Sequence, residues 1–383
     1  MPAEHDLIQH LHNLQQALRS GKTPLGLFLG AGCPSAVRAD GDRPLIPPIQ
    51  GLTQSCINNA QEDPESRDSM AKLLAKLSDD GAADPNIERI LTEIRALLRV
   101  VGTGAFSGLR APDLERLEHH ICDHIVQVAS PQLPCGDTPY HTVARWVGAI
   151  QRSEPVEIFT PNYDLLVEQA LEHTRVPYFD GFVGSRHAFF DPHAVENDQL
   201  PSRWARLWKL HGSINWYMRE DGTVFRTGET TAYDCRLIHP SHLKYEESRT
   251  MPYFVMIDRL RRFLTRSASL LAICGYSFRD EHLNAAIADG LQSNPNAVAF
   301  GLLHGKMESR ASAVALASAV PNLVLLAQDQ GIIRTTPGAW LESRPDDSDQ
   351  WEPVVTWEEH QPSLNLGDFA VLGAFLADVV GRL

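Results

Sequence analysis

The amino-acid sequence predicts an α/β protein built on a parallel β-sheet. Apolar runs of strand length recur along the chain, and segments long enough to form helices separate them. Most of these runs are uniformly apolar, which is typical of strands buried on both faces. The predicted strands are Leu25–Leu29, Val156–Phe159, Leu207–Leu210, Leu237–Ile238, Leu270–Cys274, Ala297–Leu303 and Leu323–Leu326.

The chain opens with a predicted amphipathic helix, followed by the first strand. Leucine and isoleucine recur at helical spacing over Leu7–Leu18, and Gly21 follows at a position typical of a helix C-cap. The run Leu25–Leu29 then passes directly into Gly30-Ala31-Gly32. Because a strand closed by such a turn is how a Rossmann-type sheet begins, we expect a Rossmann-like parallel sheet.

A helical insertion is predicted to interrupt the sheet between about residues 61 and 132. Three segments there show 3.6-residue periodicity with charged outer faces, and Gly102–Gly108 predicts a turn. These segments are Lys72–Leu77, Ile87–Val101 and Leu114–Val128.

We expect residues 1–335 to form the main domain and residues 336–383 a C-terminal extension. The stretch Thr335–Glu359 is rich in Pro, Asp, Glu and Trp, as in a linker, and Leu364–Leu383 predicts a short terminal helix. Its apolar part, Leu366–Leu383, would suit a contact between subunits of a homo-oligomer.

The composition indicates a folded protein of the cytoplasm. With 383 residues, of which 43% are apolar, the chain can bury a full core. Its longest uncharged apolar run, Ser267–Gly275, is strand-sized, and Met1–Gln16 lacks the basic start and apolar centre of a signal peptide. We therefore expect neither a membrane span nor export.

The cysteines and the charge argue against two further classes of protein. The formal net charge of −14 repels phosphate backbones, so direct binding to nucleic acid is not expected. The cysteines form no CxxC pair of the kind that a zinc ribbon needs, so we expect reduced thiols, no zinc ribbon and no bound metal. They are Cys33, Cys56, Cys122, Cys135, Cys235 and Cys274.

The turn Gly30-Ala31-Gly32 is a candidate phosphate-binding site. Glycines after a strand let the main chain approach a pyrophosphate closely, and amide hydrogens near a helix start stabilise its negative charge. Alone the pattern is weak, because a GxG sequence after a strand is more often just a tight turn.

Three further polar segments directly follow predicted strands. In open α/β sheets a ligand binds beyond the carboxyl ends of the strands, so polar residues gathered there mark the expected site. The segments are Thr160-Pro161-Asn162-Tyr163-Asp164, Lys209-Leu210-His211-Gly212-Ser213 and Gly275-Tyr276-Ser277-Phe278-Arg279-Asp280.

In this order the four segments resemble the motifs of the SIR2-like family, which has the sirtuin fold. The match to GAG, T-x-N-Y-D, K-L-H-G-S and G-Y-S-x-x-D-x-H-L spans roughly Leu25–Leu326 and is closer to the bacterial antiviral-defence branch than to the protein deacetylases. Pro161 stands where sirtuins have glutamine, and Cys33-Pro34-Ser35 replaces the usual small residues after GAG.

The resemblance implies that NAD+ is the substrate and assigns a role to each motif. It implies that Gly30, Ala31 and Gly32 hold the NAD phosphates. It implies that Asn162 and Asp164 position the nicotinamide ribose and the attacking water, and that His211 is the base. It also implies that Gly275 and Ser277 lie beside the adenosine half. Breaking the nicotinamide glycosidic bond builds positive charge on the ribose, which a fixed amide and an imidazole can stabilise. A neutral imidazole can also accept a proton near neutral pH.

The departures from the deacetylases favour hydrolysis over deacylation. The chain lacks the cysteine pairs of the sirtuin zinc module, and its helical insertion lies between GAG and T-x-N-Y-D, as in the defence branch. The resemblance therefore implies an NAD+ glycohydrolase that releases nicotinamide and ADP-ribose and depletes NAD+ in antiphage defence by abortive infection. Two alternatives stay open, namely an NAD or ADP-ribose sensor without turnover and an NAD-dependent protein deacylase.

The resemblance also implies a partner. Family members of similar length look like the SIR2 subunit encoded beside a hexameric HerA-type DNA-translocating ATPase. Since this chain has no P-loop motif, such an ATPase would act in trans.

Each candidate residue also has a purely structural interpretation. Asn162 could cap a helix that begins after it, and His211 could be a core histidine that donates to a main-chain carbonyl. For Asp280 we favour the N-cap of a helix over Glu281–Leu291.

Two other features are assigned structural roles. Cys33 is expected to fill the turn rather than to be a reactive thiol. A histidine-rich segment is expected to be an exposed helix face rather than a metal site, although two of its members lie one turn apart. It contains His119, His120, Asp123 and His124.

Overall fold

The computed structural model describes residues 3–39, 42–81, 85–197, 199–219, 221–228, 236–238, 252–346 and 348–381. The α-helices in this part of the chain are α1 (Leu7–Arg19), α2 (Ile49–Glu62), α3 (Arg67–Asp79), α4 (Ile87–Val101), α5 (Ala111–Val128), α6 (Pro139–Ala149), α7 (Leu166–His173), α8 (Pro192–Asn197), α9 (Tyr253–Thr265), α10 (Glu281–Ser293), α11 (Ala311–Ala319) and α12 (Phe369–Val380). Short 3₁₀-helices cover Cys33–Ala36, Met307–Ser309 and Ser348–Trp351.

The strands of the described residues are β1 (Ala3–His5), β2 (Leu25–Leu29), β3 (Arg38–Ala39), β4 (Arg43–Pro44), β5 (Val156–Thr160), β6 (Tyr178–Phe179), β7 (Phe182–Val183), β8 (Ala188–Phe190), β9 (Ala205–Lys209), β10 (Gly212–Met218), β11 (Val224–Arg226), β12 (Arg236–Ile238), β13 (Leu270–Cys274), β14 (Val298–Leu302), β15 (Leu323–Leu326), β16 (Gln330–Ile333), β17 (Thr336–Trp340), β18 (Val355–Glu358) and β19 (Gln361–Leu364).

The central sheet confirms the predicted α/β class. Its strand order is β1-β17-β16-β15-β14-β13-β2-β5-β9-β6, and the run from β15 to β6 is parallel throughout. At the β15 edge, β16 and β17 are antiparallel additions, and β1 pairs in parallel with β17. The sheet is thus a Rossmann-like parallel sheet with an antiparallel margin.

The sheet is buried on both faces, as its uniformly apolar strands predicted. On one face, Leu25, Leu27 and Leu29 of β2 point into a core shared with α1, α6, α7 and α12. On the other face, Phe28 of β2 packs into a core shared with α9, α10 and α11. The two-residue repeat of the strands therefore divides alternate side chains between two separate apolar layers.

The strand β2 lies at the point where the strand order reverses. Along the chain the sheet grows from β2 to β5 and β9 on one side, and then returns to β13 and β14 on the other. In an open α/β sheet the connections diverge at this point and leave a crevice beyond the carboxyl ends. The fold therefore places β2, β5, β9 and β13 at the expected position of a ligand.

The prediction that Leu237–Ile238 belongs to the central sheet is wrong. The strand exists as β12, but it pairs antiparallel with β10 in a second sheet of order β12-β10-β11-β8-β7. The apolar pattern of so short a strand does not show which sheet the strand joins. Its pairing partner depends on where the flanking segments of the chain place it.

The helical insertion begins earlier than the sequence indicated. Helix α2 starts at Ile49, and α2 to α5 pack around their own apolar core. Helix α2 was missed because its mixed Gln, Asn and Ser content gives a weak apolar repeat. Ile214 of β10 is part of the same core, and Tyr163 and Leu165 pack against it. The insertion therefore lies directly beside two of the four segments that resemble family motifs.

The C-terminal extension packs within the chain. Strand β17 and the hairpin β18-β19 replace the predicted linker. The predicted terminal helix is confirmed as α12, with the narrower bounds Phe369–Val380, and residues 382 and 383 lie outside the described part. Leu366, Phe369, Leu372 and Leu376 are buried in the core that also contains α1 and α6. The subunit contact expected for this segment stays a prediction.

Within the described ranges, every helix is too short or too polar to cross a membrane.

Candidate functional site at the carboxyl edge of the sheet

The structure brings the four predicted motif segments, called clusters from here on, to one edge of the sheet. Gly30 follows β2, Asn162 follows β5, His211 follows β9 and Gly275 follows β13. Because these strands are parallel neighbours in the order β13-β2-β5-β9, their carboxyl ends lie side by side. The clusters are separated by up to 245 residues of chain, from 30 to 275, yet form one continuous edge.

The glycines of the first and last clusters allow two turns to pack against each other. The Gly30 amide donates to the Cys274 carbonyl over 2.8 Å, and the Gly32 amide donates to the Gly275 carbonyl over 2.8 Å. A Cβ added at Gly30 would lie 2.4 Å from the Gly275 carbonyl oxygen, which is closer than real contacts allow. Gly275 itself has a φ of +68°, a backbone conformation that residues other than glycine rarely adopt.

This packing changes the expected use of the glycine turn. The amides of Gly30 and Gly32 already have main-chain acceptors, so in this conformation they are not the donors that we expected for a pyrophosphate. The turn passes into the four-residue 3₁₀-helix Cys33–Ala36 instead of a long helix. Ala31 and Gly32 are exposed at the edge, as is Ser277 of the neighbouring turn, so these residues are accessible to a ligand.

Asn162 is buried and held by the glycine turn. Its side-chain Nδ2 donates to the Gly30 carbonyl over 3.2 Å, and its amide donates to Thr160 Oγ1 over 3.1 Å. Thr160 Oγ1 in turn donates to the Leu29 carbonyl over 2.7 Å. Asn162 Oδ1 is buried and finds no hydrogen-bond partner among the described residues.

The interpretation of Asn162 as a helix cap is wrong. Helix α7 begins at Leu166, and its amide is bound by Asp164 Oδ1 over 3.0 Å. The asparagine is therefore fixed across the sheet edge, toward Gly30, and not along its own segment.

The side chain of Asp164 is buried. Burial raises the pKa of its carboxyl from 3.8 to about 6, although the Lys209 ammonium partly offsets this effect. Lys209 Nζ donates to the Asp164 main-chain carbonyl and lies 3.1 Å from Glu168 Oε1. The lysine of the K-L-H-G-S segment thus joins the segment that contains Asn162, a contact that sequence reasoning missed.

His211 forms a pair with Asp280. His211 Nε2 lies 2.8 Å from Asp280 Oδ2, and the two side chains are 10% and 11% exposed. Asp280 Oδ1 accepts from the amides of His282 and Leu283 at the start of α10, which confirms the predicted N-cap. The sequence indicated the cap and the histidine separately but not their contact, because 69 residues separate them.

The interpretation of Cys33 as a residue that fills the glycine turn is confirmed. Cys33 is fully buried, and burial raises the pKa of its thiol well above the ordinary value, so it fills the turn rather than acting as a thiolate. Cys33, Cys56, Cys122, Cys135 and Cys274 are free thiols, whereas Cys235 lies outside the described residues.

The histidine-rich segment of α5 makes contacts within its own helix and with α2. His119 Nε2 lies 3.2 Å from Asp123 Oδ2, and Ser55 Oγ lies 2.7 Å from His124 Nε2. Across the described ranges, the structure places no three or more histidine, cysteine, aspartate or glutamate side chains so that they could hold a metal ion.

The fold and this edge define an α/β protein with a candidate site beyond the carboxyl ends of its parallel strands. Residues 156–319 match the family model described as the SIR2-like domain. The match is less than half of the chain; it contains Asn162, His211 and Gly275, but not the turn Gly30-Ala31-Gly32. No curated protein matches the sequence.

Solved structures of Sir2 homologues are also similar to the chain. One is a Sir2 homologue in complex with NAD, at 12% identity and a TM-score of 0.35, with 85% of this chain and 90% of that chain covered. Another is a mutant Sir2 homologue in complex with ADP-ribose, at 12% identity and a TM-score of 0.34, with 76% of this chain and 84% of that chain covered.

Proposed function

We propose that the protein is an NAD+ glycohydrolase that cleaves NAD+ to nicotinamide and ADP-ribose. The observation that carries this proposal is the state of Asn162, a buried amide whose Oδ1 finds no partner among the described residues while its Nδ2 is held by Gly30. A buried polar atom without a partner is costly in a folded protein, so such an atom at a crevice is explained by a ligand or a water that it binds.

Asn162 is suited to bind a hydroxyl or a water beside the reacting centre. The bond from Nδ2 to Gly30 fixes the plane of the amide, so Oδ1 is a preoriented acceptor that needs no rearrangement when charge develops. Cleavage of the glycosidic bond of NAD+ develops positive charge on the ribose, and the oxygen of a fixed amide stabilises that charge.

His211 supplies the second chemical function at this edge. Its imidazole is buried beside Asp280, and an imidazole that is neutral near physiological pH can accept a proton from a ribose hydroxyl or a water. Ala31, Gly32 and Ser277 are exposed along the same edge, where they would contact the phosphates and the adenosine half of the dinucleotide.

The biological role that we propose is depletion of NAD+ during phage infection. The similarity of the motifs to the antiviral-defence branch supports this role. We propose further that the protein assembles as a homo-oligomer in the cytoplasm and works with a HerA-type hexameric ATPase supplied by a separate chain. Control by such a partner would keep the NAD+ of an uninfected cell intact.

The test is incubation of the purified protein with NAD+, with and without the candidate ATPase, while nicotinamide and ADP-ribose are followed by chromatography. We expect both products in the absence of any acylated peptide, and a loss of at least ~100-fold in rate for Asn162→Ala and for His211→Ala. Measurable NAD+ binding without turnover in any condition would replace this proposal with that of a sensor. Turnover that depends on an acylated peptide would replace it with that of a deacylase.

A further inference from the structure

The pair of His211 and Asp280 joins the K-L-H-G-S segment to the start of helix α10. Asp280 Oδ2 lies 2.8 Å from His211 Nε2, and both side chains are about nine-tenths buried. A charge-assisted hydrogen bond of this length in a largely desolvated place is stronger and more directional than one at the surface. The contact therefore restricts the orientation of the imidazole ring.

Asp280 is itself held in place from two sides. Its Oδ1 accepts from the amides of His282 and Leu283 over 3.1 and 3.2 Å, and the Tyr276 hydroxyl lies 3.2 Å from its main-chain carbonyl and 2.9 Å from Asn284 Oδ1. One carboxylate oxygen thus caps the helix while the other is directed at His211. A carboxylate fixed in this way can orient a histidine without moving itself.

We propose that Asp280 is the positioning residue for His211 in the reaction described above, an inference that rests on the proposed function. An ionised carboxylate can only accept hydrogen bonds, so the partner atom Nε2 carries the proton. Nδ1 is then the nitrogen with the lone pair, and it is the atom that accepts a proton during catalysis. When the imidazole becomes positively charged, the carboxylate stabilises it, as an aspartate does for the histidine of a catalytic triad.

The competing explanation is that Asp280 only caps helix α10. Two variants separate the roles, because asparagine and serine are both good N-cap residues. Asp280→Asn keeps the cap and the shape of the side chain but removes the negative charge. Asp280→Ser keeps the cap but is too short to reach His211. A capping role predicts near-normal activity in both variants, whereas a positioning role predicts a loss in both.

The first measurement is steady-state cleavage of NAD+ by the full chain, with its activating partner if one is needed. We expect kcat to fall about 100-fold in both variants, which is the lower end of what general acid–base catalysis contributes. We expect KM to stay within about twofold, because the lost interaction acts in the transition state and not in substrate binding. The matched control is Asp6→Asn, which changes the N-cap of α1 at an exposed site and should leave kcat unchanged.

The second measurement reports on the pair without turnover. In the protein labelled with ¹⁵N-histidine, the ring signals of His211 among the 16 histidines can be assigned by their loss in His211→Gln. We expect the wild-type signals to show a proton on Nε2, and we expect Asp280→Asn to shift them.

The two measurements distinguish failure of this inference from failure of the proposed function. Normal kcat in both Asp280 variants, or His211 signals that Asp280→Asn leaves unchanged, would overturn the positioning role. If the wild-type protein cleaves no NAD+ under any condition, the proposed function fails, and the nitrogen signals alone decide whether Asp280 sets the state of His211.

Discussion

The side chain of Asn162 donates from Nδ2 to the main-chain carbonyl of Gly30 over 3.2 Å, and this bond joins the loops that follow β5 and β2. The Gly30 amide donates in turn to Cys274 at the end of β13, immediately before the Gly275 turn. Three of the four clusters are therefore one packed unit. We expect a substitution that moves one of these loops to displace the asparagine amide, even where the substituted residue touches no ligand.

The first prediction concerns the close approach of the two glycine turns. In Gly30→Ala the new methyl group would meet main-chain atoms of Gly275 and Tyr276 at 2.4 to 2.7 Å, and main chain cannot move aside as a side chain can. We expect a loss of about 1–3 kcal/mol in the free energy of unfolding, as for overpacked cores, together with loss of NAD+ cleavage because Gly30 holds Asn162. Urea denaturation and the chromatographic assay measure the two effects.

The matched control is Gly104→Ala in the exposed turn between α4 and α5. A Cβ there meets only the Val101 carbonyl at 3.5 Å, an ordinary contact. We expect stability and activity close to those of the wild-type protein. If Gly30→Ala behaved like this control, the two turns would not be packed as described.

The sequence predicted the parts of the fold that depend on local pattern. The predicted bounds of β2, β13 and β15 match the structure. For β2 and β13 the reason is that the strands are buried on both faces and their apolar runs end at a glycine. The four clusters could be placed together because parallel strands have their carboxyl ends at one edge.

Features set by distant chain could not be predicted in the same way. The contact of His211 with Asp280 depends on the positions of β9 and α10 in three dimensions, which no spacing in the sequence encodes. The segment after Arg334 resembles a linker in composition, but its polar and charged residues lie on the outer face of β17 and the hairpin while Trp340 and Val355 are buried. Tertiary packing decided these outcomes over local propensity.

The second prediction concerns the pH dependence of stability. The pKa of Asp164 is raised from 3.8 to about 6 by burial, so the native state holds this proton more tightly than the unfolded chain does. The contribution to stability is complete below about pH 3.8 and is lost as the pH rises to about 6. Asp164→Asn removes this titration while asparagine can still accept from the Leu166 amide.

We therefore expect the unfolding free energy of Asp164→Asn to fall less steeply between pH 4 and 6 than that of the wild-type protein. The difference between the two falls should reach up to about 3 kcal/mol over this interval. Urea denaturation at a series of pH values measures the difference. Parallel curves for Asp164→Asn and the wild-type protein would contradict the effect of burial on Asp164.

The third prediction concerns a buried carboxylate at the opposite end of β5. Glu157 is fully buried and accepts from Trp208 Nε1 over 2.7 Å, from Arg259 over 3.2 Å and from Arg266 over 2.8 Å. Glu157→Gln leaves the buried guanidinium group of Arg259 without its counter-charge, while Arg266 keeps its ion pair with Glu154. We expect a loss of ~3–5 kcal/mol in the free energy of unfolding, the usual result of removing one member of a buried ion pair.

An exposed ion pair provides the comparison for Glu157. Lys72 Nζ lies 2.6 Å from Asp68 Oδ2, but the two side chains are 40% and 75% exposed. We expect Asp68→Asn to change stability by less than about 1 kcal/mol, because water screens such a pair. Equal effects of the two substitutions in urea denaturation would show that the Glu157 cluster is not desolvated. The rate of NAD+ cleavage per folded molecule should be the same in both variants, because neither residue lies at the carboxyl edge.

The last prediction tests whether the C-terminal extension belongs to the fold of the single chain. Leu376 of α12 is fully buried in the core that also contains α1 and α6. Leu376→Ala should reduce the free energy of unfolding by about 2–5 kcal/mol, as for a buried leucine truncated in a packed core. Val100→Ala is the control, since Val100 is 71% exposed and its truncation should cost less than about 0.5 kcal/mol. If Leu376→Ala instead dissociated an oligomer while the unfolding of the separated subunit stayed unchanged, α12 would be an interface helix. The expected result, a loss of stability that does not depend on protein concentration, would assign α12 to the core of each subunit and place any contact between subunits elsewhere on the surface.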